Sequence, residues 1–300
     1  MREYNTPMKV FTDVLIYLIA GALCLICILP VIHTIMASFS DPLKLEAHKG
    51  LLLWPLDPTI KGYQLVWSIP SVLTGYMNTI VIVIAGTALN MVMTCLGAWV
   101  LCQKGWWYTR FLMVMVTITM YFSGGLVPSY LLVKDLGMLD SRLALVIPSA
   151  ISVWNLIVMR TGFMSVPESL SESAKLDGAS DFTILVRIII PLSKAVLAVI
   201  LLYYAVGHWN SWFSAMIYIR TRNKYPLQLV LREVLVLDSN SASVGGAAAV
   251  LDSVNVDNMS KYRRLVRYTT IVIATVPVLC FYPFIQKYFT KGVMIGSLKG

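Results

Sequence analysis

Apolar runs without a single formal charge recur six times along the chain. No Asp, Glu, Lys or Arg lies between Asp13 and Asp41, Lys61 and Lys104, Arg110 and Lys134, Arg142 and Arg160, Lys194 and Arg220, or Arg267 and Lys287. A helix crossing a bilayer core needs about 20 predominantly apolar residues, and each run is close to that length or longer. The pattern predicts spans near 12–38, 74–101, 108–132, 142–163, 195–219 and 267–289. Each is read as a helix, because a segment in hydrocarbon must satisfy its own backbone. The ten-residue alternation of an outer-membrane barrel is absent. The expected fold class is an all-α integral membrane protein with six transmembrane helices, a single domain over 1–300, and both termini on one side.

Composition agrees. The 300 residues are 58% hydrophobic and 13% charged, with a mean hydropathy of +0.74, whereas a globular domain is about 45–50% apolar and a quarter charged. Disordered, collagen-like, disulfide-scaffold and nucleic-acid-binding chains are excluded. The net charge of +9 is read as basic residues at membrane surfaces, which anionic lipid favours. All five cysteines lie in or at the ends of apolar runs, so Cys24 and Cys27 read as small packing residues rather than a metal or redox pair. Arg2 and Lys9 precede a run too long for a signal-peptide core, so the first span is expected to stay uncleaved. With cytoplasmic termini the inner segments hold eleven basic residues and the first two outer loops five. The last outer loop, 220–267, holds eight more and opposes that tally. Charge therefore orients the first four spans only.

Two polar stretches stand out between spans. In 165–194, Ser165 with Glu168 three residues on makes a capping-box pattern, with Pro167 near the first helical turn. Gly178 is the natural residue to end that helix in a left-handed conformation. Ser180 or Asp181 can cap a second helix, whose Phe182, Leu185, Val186 and Ile189 follow helical spacing before Pro191 interrupts it. The result is a helix–glycine–helix knob; a hairpin lying among lipid headgroups is the plainer alternative. The second stretch, 220–267, contains the small-residue segment 239–249, either a flexible linker or a finger reaching into a partner.

Within the knob, Glu172–Ser173–Ala174, then Gly178, Ile188 and Ile190–Pro191, resembles the EAA motif of ABC importer permeases. That motif is Glu-Ala-Ala, three residues, Gly, nine residues, Ile, one residue, Leu-Pro; Ser173 and Ile190 are the departures. The stretches 122–130, 136–140, 209–213, 225–229 and 286–300 are similar to the same family. They point to its carbohydrate-uptake members, specifically the maltose-type second permease and an LplC/YtcP-like branch. The resemblance covers nearly the whole chain.

It implies a type I importer permease of a bacterial cytoplasmic membrane, multi-pass with both termini cytoplasmic, carrying sugars, mostly oligosaccharides. It also implies partners: a second related permease, two ATPase subunits and an extracytoplasmic sugar-binding protein. Cofactors are not expected on this chain, since ATP and Mg would sit on the ATPases. Carried over by position, Glu172, Ser173, Ala174, Asp177, Gly178, Ile188 and Pro191 belong to the ATPase-coupling loop, and Ser241, Ser243, Gly245 and Gly246 to a loop that probes the binding protein. The C-terminal 294–300 resembles a tail that reaches the ATPases.

For the sugar path, stacking faces and hydrogen-bonding groups in apolar walls are required. Candidates are Tyr121, Asn155, His208, Trp209, Asn210 and Trp212, with Asn78 and Asn90 beside them. Each also has a plain role, aromatic belt for tryptophan or interhelical hydrogen bond for asparagine. The eight cations of 220–267 face four acidic residues; docking of an acidic protein rim or lipid is the first explanation, steering of an acidic oligosaccharide the second. A secondary transporter is disfavoured because no carboxylate lies within the apolar runs that define the spans. An intramembrane metalloenzyme is disfavoured because three scattered histidines form no cluster, and no metal site is expected. No Walker A pattern is present, so the chain is expected to be non-catalytic.

Overall fold

The structure is a computed structural model that describes residues 7–103, 107–236, 262, 264–280 and 283. Among them every regular element is a helix. In chain order these are α1 Pro7–Ser38, α2 Pro42–Ala47, α3 Lys61–Trp67, α4 Pro70–Cys102, α5 Trp107–Tyr121, α6 Leu126–Asp135 and α7 Leu143–Val146. There follow α8 Val153–Met164, α9 Glu168–Leu176, α10 Asp181–Leu192, α11 Lys194–Trp209, α12 Trp212–Tyr218, α13 Leu227–Val236 and α14 across 264–280.

Only α1 and α4 are unbroken helices long and apolar enough to cross a membrane, among the described residues. The expected helix over 108–132 bends by 115° between α5 and α6, where Gly125 takes φ +84°, a conformation glycine adopts without steric cost. Over 142–163 only α7 and α8 are helical, with irregular chain between them. The expected helix over 195–219 is broken at Asn210–Ser211 into α11 and α12. Polar breaks of this kind persist at membrane depth only where protein or a water-filled cavity surrounds them.

Contacts group the chain into two units, where the sequence suggests one domain. One comprises residues up to Pro70 with Val234–Thr275; the other comprises Ser71–Glu233 with Val276 onward. In the first, Ala37, Leu45, Leu52 and Leu265 form the core. His33 Nδ1 accepts the Leu52 N–H (2.9 Å), which leaves the proton on Nε2, 3.1 Å from the Tyr268 hydroxyl. Gly62 lets α3 sit against α14, since a Cβ there would meet Leu265 Cγ at 2.9 Å.

The second unit is organised by one face of α4. Its buried residues include Gly75, Asn78, Thr79, Ile82, Gly86, Thr87, Asn90, Thr94, Ala98 and Leu101, a stripe of small and polar groups at helical spacing. Leu73, Met77, Val81, Ile84 and Val92 point outward instead. This is the membrane arrangement: lipid supplies no hydrophobic drive between helices, so small residues and satisfied polar groups make the contact. Against the stripe pack α8, α10 and α11 through Leu156, Met159, Phe163, Ile184, Leu185 and Ile200. A second cluster joins Ile82 to Val133, Leu145, Ala215, Tyr218 and Leu229.

Among the described glycines of this unit the tightest is Gly86, where a Cβ would lie 2.5 Å from His208 Nε2. Gly86→Ala is expected to lower the apparent unfolding temperature in detergent, by overpacking worth about 1–3 kcal/mol. Gly21, in open space on α1, is the control: Gly21→Ala should be neutral or stabilising, because alanine favours helix by about 1 kcal/mol. Equal unfolding temperatures for the two variants would contradict the packing.

Candidate functional site

The knob forms at the end of α8. α9 stops in a glycine turn: Gly178 N–H donates to Lys175 O (3.0 Å) and Ala179 N–H to Ala174 O (2.9 Å). Gly178 takes φ +80° with open space around it, so backbone conformation rather than crowding calls for glycine there. Ser180 caps α10, its hydroxyl accepting the Thr183 N–H (3.3 Å). Lys175 and Asp181 bridge the two helices at 3.4 Å, half-exposed, which is worth little.

Two local expectations are corrected. Ser165 caps nothing: it ends α8, and its hydroxyl donates to Gly162 O (2.7 Å). Pro167 occupies the position before α9, and a residue preceding proline is kept out of the helical region, so the helix starts only afterwards. Along α10 the buried face is Ile184, Leu185 and Ile189, while Phe182 is 66% exposed and Val186 43% exposed. A π-turn over Leu185–Ile189, closed by Ile190 N–H on Leu185 O, brings residues five apart onto one face. Pro191 follows it, lacking the N–H a regular turn would use. The chain then turns by 88° into α11.

α9 has no buried residue. Leu176 is 90% exposed, and Leu170 43% exposed. Between α9 and the ends of α4 and α8 lies a cavity of about 290 Å³, lined by Glu172 and Lys175 over Trp99, Cys102, Phe163 and Ile189. Of the motif residues, Glu172, Ser173, Asp177, Gly178 and Pro191 are exposed, while Ala174 and Ile188 are half-buried. Arg160 stitches the base, its Nε donating to Leu101 O (2.9 Å).

A family model described as the binding-protein-dependent transport system inner membrane component matches residues 63–219, the stretch that contains this knob. The chain belongs to that family. It is 37% identical to the polygalacturonan/rhamnogalacturonan transport system permease protein YtcP of Bacillus subtilis, over 96% of this chain and 98% of that one. Protein LplC of the same organism is 39% identical over 99% and 98%. A solved bacterial ABC transporter involved in the import of the acidic polysaccharide alginate matches with TM-score 0.85 and 30% identity, covering 95% of this chain and 99% of that chain. The chain is thus a membrane-embedded permease subunit of a sugar ABC importer with the type I permease fold, and has no catalytic role of its own.

The permease's polar groups within spans are largely engaged with one another. His208 is buried with its Nε2 2.6 Å from Asn90 Oδ1, and the Asn90 amide donates to Ser149 O. The Tyr204 hydroxyl accepts the Ser152 N–H (3.0 Å) and shares a hydrogen bond with Thr94 (2.7 Å). Asn155 is buried in the first turn of α8, and Trp209 is buried edge-on to Tyr76, ring centroids 5.9 Å apart. Asn210 and Trp212 flank the α11–α12 break and reach the surface; Tyr121, 77% exposed, stands apart at the end of α5. A cavity of about 590 Å³ bordered by Val83, Thr87, Met91, Leu201 and Trp209 is apolar and offers a sugar few partners. No metal-binding group of three His, Cys, Asp or Glu side chains occurs among the described residues. Ser241, Ser243, Gly245, Gly246 and the tail 294–300 lie outside the described residues.

Sequence reasoning missed a polar pin at the opposite end of the unit. Asp140, at φ +56°, accepts from Lys224 Nζ (2.7 Å), Thr221 Oγ1 (2.6 Å) and the N–H groups of Thr221 (2.8 Å) and Arg220 (3.0 Å). Asn78 holds the neighbouring chain, donating to Asn223 O (2.7 Å) and Tyr225 O (3.0 Å) and accepting from Arg142 (2.7 Å). The segment placed in an outer loop therefore turns back, and α13 begins on α4 with Leu227 N–H donating to Thr79 Oγ1 (2.8 Å).

The Lys224 hydrogen bond, with those of Thr221 and Arg220, holds the Asp140 carboxyl far below the usual aspartate range. A depressed pKa contributes stability that is complete above about pH 4 and is lost as pH falls through the lowered value. Hydrogen-exchange protection of 219–225, corrected for intrinsic rates, should thus be constant from pH 8 to pH 5 and drop at both pH values in Asp140→Asn. A protection loss in the wild type between those pH values would contradict the pin.

Proposed function

We propose that the α9–α10 knob is the cytoplasmic coupling element of this sugar permease, docking on one of two ATPase subunits that carry ATP and Mg. The exposure of Leu170, Leu176 and Phe182 around a rigid glycine turn carries this reading. An apolar patch on a water-facing knob calls for a partner surface. The acidic Glu168, Glu172, Asp177 and Asp181 disfavour an anionic headgroup layer as that partner. ATP-driven closure of the ATPases would move the docked knob, and the 88° turn at Pro191–Lys194 passes that motion directly into α11.

In the complete transporter this chain pairs with a second, related permease in a bacterial cytoplasmic membrane, crosses it several times, and has both termini in the cytoplasm. An extracytoplasmic binding protein delivers the cargo, and the small-residue segment 239–249 probes its cleft. The cargo is a uronate-containing oligosaccharide. The names of two relatives support this, since polygalacturonan and alginate are both uronate polymers.

Gly178→Val tests the coupling role. A β-branched residue in the left-handed region costs about 1–2 kcal/mol or more, enough to weaken ATPase docking about tenfold. Substrate-stimulated ATP hydrolysis and uptake should both fall while the protein still reaches the membrane. Unchanged uptake would remove the coupling role. Deleting 241–248 should reduce uptake with the permease–ATPase complex intact; normal uptake would remove the finger.

A further inference from the structure

We propose that Arg232, stacked on Trp212, forms the station at which the permease recognises a carboxylate of its cargo, a role that rests on the acidic-cargo reading above. The position of Arg232 is built from several directions. α13 is seated on α4 by the Thr79 cap on Leu227 and by Gly75, where a Cβ would lie 3.2 Å from Leu227 Cα. Leu227, Leu229, Val230 and Leu231 are buried, so the start of α13 is fixed rather than floating.

One turn further on, the guanidinium carbon of Arg232 stands 4.5 Å from the centroid of the Trp212 ring. Its Nη1 donates to the Met216 thioether (3.0 Å). Both partners are soft and uncharged. Two neighbouring cations are neutralised by carboxylates, Arg222 by Glu233 at 2.9 Å and Lys224 by Asp140 at 2.7 Å, while the Arg220 guanidinium donates to the Tyr130 hydroxyl (3.4 Å). Glu233 follows Arg232 directly in sequence, yet its carboxylate is committed to Arg222. Among the described residues no carboxylate is paired with Arg232.

A cation near a membrane span without a counter-ion is costly and marks function. The guanidinium has five N–H donors in a fixed fork; Trp212 holds its face, and among the described residues the Met216 thioether is the one hydrogen-bond acceptor it meets. Carboxylates take such a fork in two parallel bonds. The surrounding apolar faces remain open, with Trp212 36% exposed, Phe213 48% and Met216 42%. A uronate unit presents both matching features, a charged carboxylate and an apolar pyranose face. The station lies just past the Asn210–Ser211 break, three residues beyond Trp209, which packs on Tyr76 in the second turn of α4.

The test uses the complete transporter in proteoliposomes, with trigalacturonate delivered by saturating binding protein. Arg232→Gln should lower trigalacturonate uptake at least about tenfold, the scale expected when a site built for a polar group loses its partner. Arg232→Lys, which keeps charge but not the fork, should restore only part of it, and Trp212→Leu should resemble Arg232→Gln. All three variants should assemble with the partner subunits. If the wild type imports trigalacturonate and Arg232→Gln imports it equally fast, the station is wrong and the acidic-cargo reading stands. If Arg232→Gln fails to assemble while Arg232→Lys is fully active, the residue is structural and the station is likewise wrong. If the wild type imports neither trigalacturonate nor an alginate trimer, the acidic-cargo reading itself fails.

Discussion

The larger unit depends on the small and polar stripe of α4. Within a bilayer the usual drive for helix packing is missing, because lipid tails are as apolar as leucine. What remains is close backbone approach and the cost of leaving polar groups unpaired. Gly75 and Gly86 provide the first, admitting the backbone of Leu227 and the ring of His208. Asn78, Thr79, Asn90 and Thr94 provide the second, each reaching a group on another element. Each bond is worth only about 0.6 kcal/mol on average in a membrane. Their value here is in register: the four together fix α11, the start of α13, the entry to α7 and the chain ahead of α8 against one helix.

From that scaffold the two ends of the unit acquire different characters. At one end Arg160 ties α8 to α4, and the knob extends outward with its apolar residues uncovered. At the other end Asp140 and Asn78 draw the 219–225 segment back onto the bundle, so that α13 and Arg232 are held rather than loose. The break at Asn210–Ser211 and the turn near Pro191 bound α11, which packs in the α4–α8 core through Ile200 and Tyr204. On the proposed coupling role, α11 would carry motion of the knob toward the region around Trp212.

Sequence patterning exposed the apolar runs because charge exclusion from lipid is a local, one-dimensional constraint. Gly178 was legible for a similar reason: a left-handed turn makes a demand on one residue. Three kinds of feature were not. The Ser165 capping box was a sound local pattern overridden by Pro167. The phase of α10 shifted because a π-turn ahead of Pro191 changes the helical period that the pattern assumed. Pairs such as Asp140 with Lys224, 84 residues apart, or Asn78 with Arg142, 64 apart, leave no trace in a single sequence. α13 hid inside a charged loop because its ten-residue Leu/Val run is too short for a span. The in-span asparagines carried two readings: Asn90 makes an interhelical hydrogen bond to His208, whereas Asn78 holds Arg142 and the chain at Asn223 and Tyr225.

The central claim, that the chain acts as the permease half of an ATP-driven importer through its knob, is tested most directly by composition. Native mass spectrometry of the tagged chain, gently extracted from its own membrane, should find one copy with one related permease and two ATPase subunits. Recovery of the chain alone across several detergents, with the 165–194 loop already resistant to protease, would contradict it.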